Sequence, residues 1–240
     1  MKTLLISDLH IGFKYSRASD ILDVLNNETF DKLILVGDIF DISAMMRRPY
    51  WDKHHTAVTK KILKLAKKME VIYVIGNHDY PLMHILENTN KLAGIQIFRE
   101  YTYESGGKTI HCIHGDQFDS LSKKAMFIGD FLYYTVLKLN SVIHFVRSKF
   151  GYTRWSFSKW CKDKVKNVIN SAFSIEDKLL SIPDVDVVVY GHTHMPYVKP
   201  GKVTLVNTGT FVEIATYVIE ENGEFELKDT DYKKRITASA

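Results

Sequence analysis

Five short apolar runs in this chain each stop at residues that bind metals, and this pattern restricts the fold more than any other feature. Thr3–Ser7 leads into Asp8-Leu9-His10, Leu33–Val36 into Gly37-Asp38, and Val71–Ile75 into Gly76-Asn77-His78-Asp79. Thr109–Ile113 leads into His114-Gly115-Asp116, and Val185–Tyr190 into Gly191-His192-Thr193-His194. Runs this short read as buried strands rather than helices. Amphipathic segments near Ser16–Asn27 and Asp52–Lys68 separate the first three runs, which predicts crossover units and largely parallel pairing. Side chains just beyond the carboxyl ends of neighbouring strands converge at one sheet edge, where such folds place their sites.

From Ile95 onward the pattern changes to short strands punctuated by turn signals at Ser105-Gly106-Gly107, Pro200-Gly201 and Asn222-Gly223. The later strands are expected at Val203–Val206, Phe211–Ile219 and Phe225–Lys228. Two sheets, each covered by helices, accommodate this order within a single domain over residues 1–240. Residues 120–182 carry no strand signal and read as a helical insertion, divided near Gly151 and Thr153. Within it, ten aromatics between Phe127 and Trp160 alternate with basic residues. Eight cations from Lys138 to Lys166 face the single acid Asp163, a local balance of +7 in a chain whose total is +4. That segment reads either as a solvated, core-packing insert or as a surface for an anionic ligand, nucleic acid or membrane. Lys233–Ala240 reads as a frayed tail.

Composition sets the outer limits. With 45% apolar and 25% charged residues, wholesale disorder is excluded. Two cysteines, Cys112 and Cys161, are too few for a disulfide framework and point to a reducing compartment. The first apolar run is too short for a secretion signal, and no apolar stretch approaches the roughly 20 residues that span a bilayer.

The ligand types suit two divalent cations about 3.5–4 Å apart, which clamp a phosphoryl group between them. Such a pair needs a carboxylate that bridges both ions, and Asp38 is the candidate. Asp8 is the other acid of the set. The imidazoles of His10, His114, His192 and His194 and the Asn77 amide are neutral, so two cations keep a surplus positive charge that attracts phosphate. Imidazole-rich donors favour Mn²⁺, Fe²⁺, Co²⁺ or Zn²⁺ over Ca²⁺ or Mg²⁺, with Mn²⁺ the expected occupant.

The five blocks together resemble the calcineurin-like metallophosphoesterases. That resemblance implies an α/β (α+β) fold with two mixed β-sheets flanked by helices, a four-layer αββα sandwich that hydrolyses phosphoester or pyrophosphate bonds. It implies that Asp8, His10, Asp38 and His194 hold one metal and that Asp38, Asn77, His114 and His192 hold the other. It makes His78 the group that stabilises the transition state or protonates the leaving group, with Asp79 orienting it; Asp79 equally reads as a helix N-cap ahead of Pro81. Gly37-Asp38-Ile39-Phe40-Asp41, His114-Gly115-Asp116-Gln117-Phe118-Asp119, the helical insertion and Asn207-Thr208-Gly209-Thr210 further resemble the UDP-2,3-diacylglucosamine hydrolase branch. That branch cleaves the pyrophosphate of a diacylated nucleotide sugar in lipid A assembly, at the inner face of the cytoplasmic membrane. A cytoplasmic protein with peripheral contact to an anionic membrane is therefore expected. The insertion would act as a lid, with Lys164 and Asn167 reaching the diphosphate or nucleotide. Asp119 would bond a substrate hydroxyl or cap the insertion's first helix. The best-defined enzymes of the branch carry arginine where this chain has His78, which places it nearer the branch's broader relatives. Two other readings stand beside this one: a nucleotide phosphodiesterase or nuclease using the basic insertion, and a scaffold without catalysis, which an intact ligand set opposes.

Overall fold

The structure, a computed structural model, describes residues 1–86, 89–118 and 175–230. The first half alternates strands and helices: β1 (Lys2–Ile6), α1 (Ala18–Asn27), β2 (Lys32–Val36), α2 (Ile42–Arg47), α3 (Lys53–Leu65), β3 (Glu70–Val74), a 3-10 turn at Tyr80–Leu82, α4 (Met83–Leu86), β4 (Lys91–Leu92) and β5 (Ile95–Phe98). There follow β6 (Glu100–Ser105), β7 (Lys108–Ile113), α5 (Ile175–Leu180), β8 (Val187–Tyr190), β9 (Tyr197–Lys199), β10 (Thr204–Asn207), β11 (Thr216–Glu221) and β12 (Glu224–Asp229). By contacts the chain divides into two compact units, Met1–Asp116 with Lys178–Ala240, and Gln117–Asp177. Both sheets belong to the first. Apart from residues 175–182, the expected helical insertion lies outside the described residues.

One sheet runs β12-β11-β1-β2-β3-β5-β4, and the other β6-β7-β8-β10-β9. In the first, β1, β2, β3 and β5 are parallel and the flanking strands antiparallel; in the second, β7, β8 and β10 are parallel. Both sheets are mixed, and the fold is α/β, as the sequence predicts. The continuous apolar runs of β1, β2 and β8 have a simple cause: both faces of these strands are covered. Leu4 and Ile6 pack with Ile21 and Leu25 of α1 and Val58 and Ile62 of α3. Leu5 turns the other way, joining Ile34, Val36, Ile72 and Val74 against Ile110, Cys112, Val187, Val189 and Val206 of the second sheet. A one-residue slip would exchange these two cores, so burial on both faces fixes the register.

The same register delivers every parallel strand of a sheet to one edge. At the opposite edge Lys32, 4% exposed, ties the sheets together. Its ammonium donates to Tyr101 Oη at 2.8 Å, lies over the Tyr101 and Tyr103 rings and pairs with Glu70 at 2.9 Å.

One expected strand is shorter than its apolar pattern. The run Phe211–Ile219 enters the ladder only at Thr216. Phe211, Val212 and Ala215 are buried, but their segment is a loop whose Phe211 N–H donates to the Asp8 carbonyl and whose Phe211 carbonyl accepts from Arg17 N–H. Burial and backbone hydrogen bonding are both satisfied there without a strand partner.

Candidate metal centre

The loops after β1 and β2 are zipped together: Asp8 N–H donates to the Gly37 carbonyl, His10 N–H to the Asp38 carbonyl and Ile11 N–H to the Ile39 carbonyl, at 2.8–3.0 Å. This pairing carries Asp8, His10 and Asp38 to the strand edge together. Asp8, His10, Asp38, His192 and His194 all adopt left-handed backbone, with φ between +46° and +58°. Each such non-glycine residue costs on the order of 1 kcal/mol, and a cluster of five at one edge marks a place where geometry outweighs stability. Space is equally tight. A Cβ on Gly37 (φ +82°) would collide with the His114 ring, and one on Gly191 with Asp8 Oδ2 and Ser7 Oγ.

Asp8 and Asp38 each use one carboxylate oxygen to hold the protein and present the other. Asp8 Oδ2 accepts from the Ser7 hydroxyl and from His192 N–H, whereas Oδ1 has no hydrogen-bond partner. Asp38 Oδ1 accepts from His78 N–H at 2.8 Å, and its Oδ2 lies 3.2 Å from His114 Nε2 and 3.8 Å from His10 Nε2. The imidazoles repeat the division. His10 Nδ1 is 3.0 Å from Asp41 Oδ2, His114 Nδ1 is 3.0 Å from the Val36 carbonyl, and His194 Nδ1 is 3.0 Å from Glu213 Oε2. With Nδ1 of each ring facing an acceptor, the neutral tautomer keeps its lone pair on Nε2. His194 Nε2 stands 3.0 Å from Asp8 Oδ1.

The donor atoms of Asp8, His10 and His194 all lie within 4.8 Å of one another, and so do those of Asp8, Asp38 and His114. Asp8 Oδ1, His10 Nε2, Asn77 Oδ1 and His114 Nε2 are buried side-chain atoms without a hydrogen-bond partner. Leaving such atoms unpaired costs about 1–3 kcal/mol each. Carboxylate, amide and imidazole atoms converging with free lone pairs are the donor set that divalent ions take, so these residues fit metal ions. His192 joins them through an edge-to-face contact with His114, ring centroids 5.3 Å apart.

The electrostatics of the bare site follow from this crowding. Burial pushes the Asp8 carboxyl up, but His194 and His114 hold it below the usual carboxylate range. Asp38 is held well below that range despite burial, by His114, His78 and His10. Burial pushes the His114 imidazole down, yet the Asp38 carboxylate more than offsets it and raises the ring to about 10.

Asp79 does not orient His78. Its carboxylate is wholly buried and accepts from the N–H groups of Ile39, Phe40 and Gly76, stapling the loop after β2 to the loop after β3. Nor does its side chain cap the 3-10 turn at Tyr80–Leu82. Burial and the Asp38 charge push it up to about 6. The residue against His78 is Asp41, whose Oδ1 lies 2.8 Å from His78 Nδ1 while Oδ2 takes His10. Asp41 also caps α2 through Ala44 N–H. Burial pushes its carboxyl up, but its hydrogen bonds with His10 and His78 hold it below the usual range. Asp41 sits inside the Gly37–Asp41 block, so its spacing was visible while its role was not. Glu213 had no signal, because it interrupts an apolar run that reads as strand. Asp119, Lys164 and Asn167 lie outside the described residues.

A model of the calcineurin-like phosphoesterase family matches residues 1–196, a span that holds every candidate ligand. The chain belongs to that family. It is a metal-dependent phosphoesterase, a hydrolase. Among curated proteins it is 27% identical over 209 residues to UDP-2,3-diacylglucosamine hydrolase of Psychromonas ingrahamii, covering 81% of each chain. It is 23% identical over 205 residues to the protein of the same name from Blochmanniella pennsylvanica, covering 82% of this chain and 80% of that one. A phosphoesterase structure from E. coli superposes with a TM-score of 0.49 at 16% identity, over 92% of this chain and 89% of that one.

Proposed function

We propose that this phosphoesterase is a dinuclear pyrophosphohydrolase acting on a UDP-2,3-diacylglucosamine-type nucleotide-sugar lipid. The observation that carries the chemistry is the division of labour just described: anchored Oδ2 of Asp8, Oδ1 of Asp38 and Nδ1 of three imidazoles, with the opposite atoms aimed inward. The substrate class is supported by the names of the two curated relatives, each matched over about four-fifths of its length.

In this reading Asp8, His10, Asp38 and His194 hold one divalent ion, and Asp38, Asn77, His114 and His192 hold the other, with Mn²⁺ the preferred occupant. When bound, such ions act as Lewis acids that polarise a phosphoryl oxygen and acidify water. The protein's own part is positioning and proton control. Asp41 holds the His78 ring through Nδ1, and Nε2 is the ring atom that would meet the leaving oxygen of the pyrophosphate. His78 donates a proton or hydrogen bond there as the P–O bond breaks, and Asp41 stabilises the cationic ring. Cleavage adds water across the pyrophosphate, giving UMP and the diacylglucosamine 1-phosphate. The protein then works at the cytoplasmic face of the inner membrane, with Asp119, Lys164, Asn167 and the basic, aromatic insertion receiving the lipid-linked nucleotide.

The test is a hydrolysis panel with Mn²⁺-loaded enzyme: UDP-2,3-diacylglucosamine, its deacylated analogue, bis-p-nitrophenyl phosphate and single-stranded DNA. The expected result is the highest kcat/KM on the diacylated nucleotide sugar, with UMP released. Preference for DNA would favour the nuclease reading instead.

A further inference from the structure

Two of the three anchored imidazoles are held by carboxylates and one by a backbone carbonyl. His10 faces Asp41 and His194 faces Glu213, but His114 faces the Val36 carbonyl. Asp41 lies in the Gly37–Asp41 block, within the residues matched by the family model. Glu213 lies beyond that match, which ends at residue 196.

Glu213 is 5% exposed and sits in the loop between β10 and β11. That loop is fastened to the half of the site around Asp8. Phe211 N–H and the Thr210 hydroxyl both donate to the Asp8 carbonyl, at 3.0 and 3.2 Å, and Val212 N–H donates to Thr210 Oγ1. The Thr208 hydroxyl donates to Ser7 Oγ, which in turn donates to Asp8 Oδ2. From this platform Glu213 Oε2 meets His194 Nδ1 at 3.0 Å, while His194 Nε2 lies 3.0 Å from Asp8 Oδ1. His194 also needs holding, since it sits in left-handed backbone at φ +56°.

We infer that Glu213 is a positioning residue for one half of the metal centre: it fixes the His194 tautomer and ring angle, and it strengthens the hold of the Asp8–His10–His194 half-site on its metal. The physical argument is charge. A carboxylate behind an imidazole raises the electron density that the ring offers a metal, more than a carbonyl does. Asp41 and Glu213 supply two such carboxylates to the Asp8–His10–His194 half-site. Loss of a partner of this kind lowers metal affinity by roughly 10- to 100-fold. The inference rests on the proposed dinuclear centre.

Mn²⁺ titration of the metal-free full chain, followed by calorimetry and by the loss of free Mn²⁺ signal in EPR, separates the two claims. Wild-type protein is expected to bind two Mn²⁺ in resolvable steps. In Glu213→Ala one step weakens roughly 10- to 100-fold and the other stays within about twofold. Glu213→Gln keeps an acceptor for His194 Nδ1–H but not the charge, so it falls between Ala and wild type; it also carries the test if Ala fails to fold. In ¹⁵N-labelled protein, His194 loses its Nδ1–H tautomer preference in the Ala variant and retains it in Gln. Fewer than two Mn²⁺ in wild type would overturn the dinuclear reading itself. Two Mn²⁺ in wild type, with both steps shifted equally or neither shifted in the variants, would overturn the role of Glu213 alone.

Discussion

At the scale of single residues, the candidate ligands are legible in the sequence and their supports are not. Asp8, His10, Asp38, Asn77, His114, His192 and His194 stand within a few residues of a strand end, so local spacing singles them out as candidates. Asp41 reaches His10 and His78 across 31 and 37 residues, and Glu213 reaches His194 across 19. No local pattern encodes such contacts. The exchange of Asp79 for Asp41 has separable consequences. Asp41→Asn is expected to lower kcat and to weaken Mn²⁺ binding through His10. Asp79→Ala leaves three backbone donors without their acceptor and should cost about 3 kcal/mol of stability or more, read by urea denaturation. His78→Ala should lower kcat by roughly 10²–10⁴-fold with both metals retained, since His78 is not among the proposed ligands. Loss of metal from that variant, by elemental analysis, would reassign it.

His114 gives a pH dependence with a definite sign. Its folded value of about 10 lies above the ordinary 6.5, so its contribution is complete below about pH 6.5 and disappears as pH rises through 10. Metal-free protein held in chelator should therefore lose stability between pH 7 and pH 9, and His114→Gln should flatten that slope. Equal slopes in the two proteins would show that the ring is neutral in the bare site, with Asp38 not charging it.

At the scale of elements, the strands were readable because both their faces are buried, which produces short unbroken apolar runs. The same logic misled at Phe211–Ala215, where a buried loop carries the composition of a strand. What distinguishes them is where the backbone hydrogen bonds go: Phe211 bonds the Asp8 carbonyl instead of a ladder partner. Close packing at the edge makes a steric prediction. Gly191→Ala places a methyl group against Asp8 Oδ2 and Ser7 Oγ, so it should abolish high-affinity metal binding while far-ultraviolet circular dichroism changes little. Unaltered Mn²⁺ affinity in that variant would mean that the edge tolerates more movement than its contacts allow.

For the whole molecule, two mixed sheets face each other so that the edges carrying Asp8, Asp38 and Asn77 and those carrying His114, His192 and His194 meet. Among the described residues no helix is long and apolar enough to cross a membrane. In the proposed reading a lipid-linked substrate is met at the membrane surface. The insertion, which holds the ten aromatics between Phe127 and Trp160 and the +7 stretch, is the sequence's offer for that task. Neutralising Lys159, Lys162 and Lys166 together should weaken sedimentation with anionic vesicles and leave hydrolysis of bis-p-nitrophenyl phosphate nearly unchanged, since each cation near an anionic leaflet contributes about 1 kcal/mol. The central claim is more compact than the substrate: two metal ions share Asp38 between the two sheet edges. Anomalous diffraction from Mn²⁺-loaded crystals tests it most directly. The account predicts two peaks about 3.5–4 Å apart, one against Asp8, His10 and His194 and one against Asn77, His114 and His192, with Asp38 between them. A single peak at full Mn²⁺ loading, or a pair that Asp38 does not touch, would contradict it.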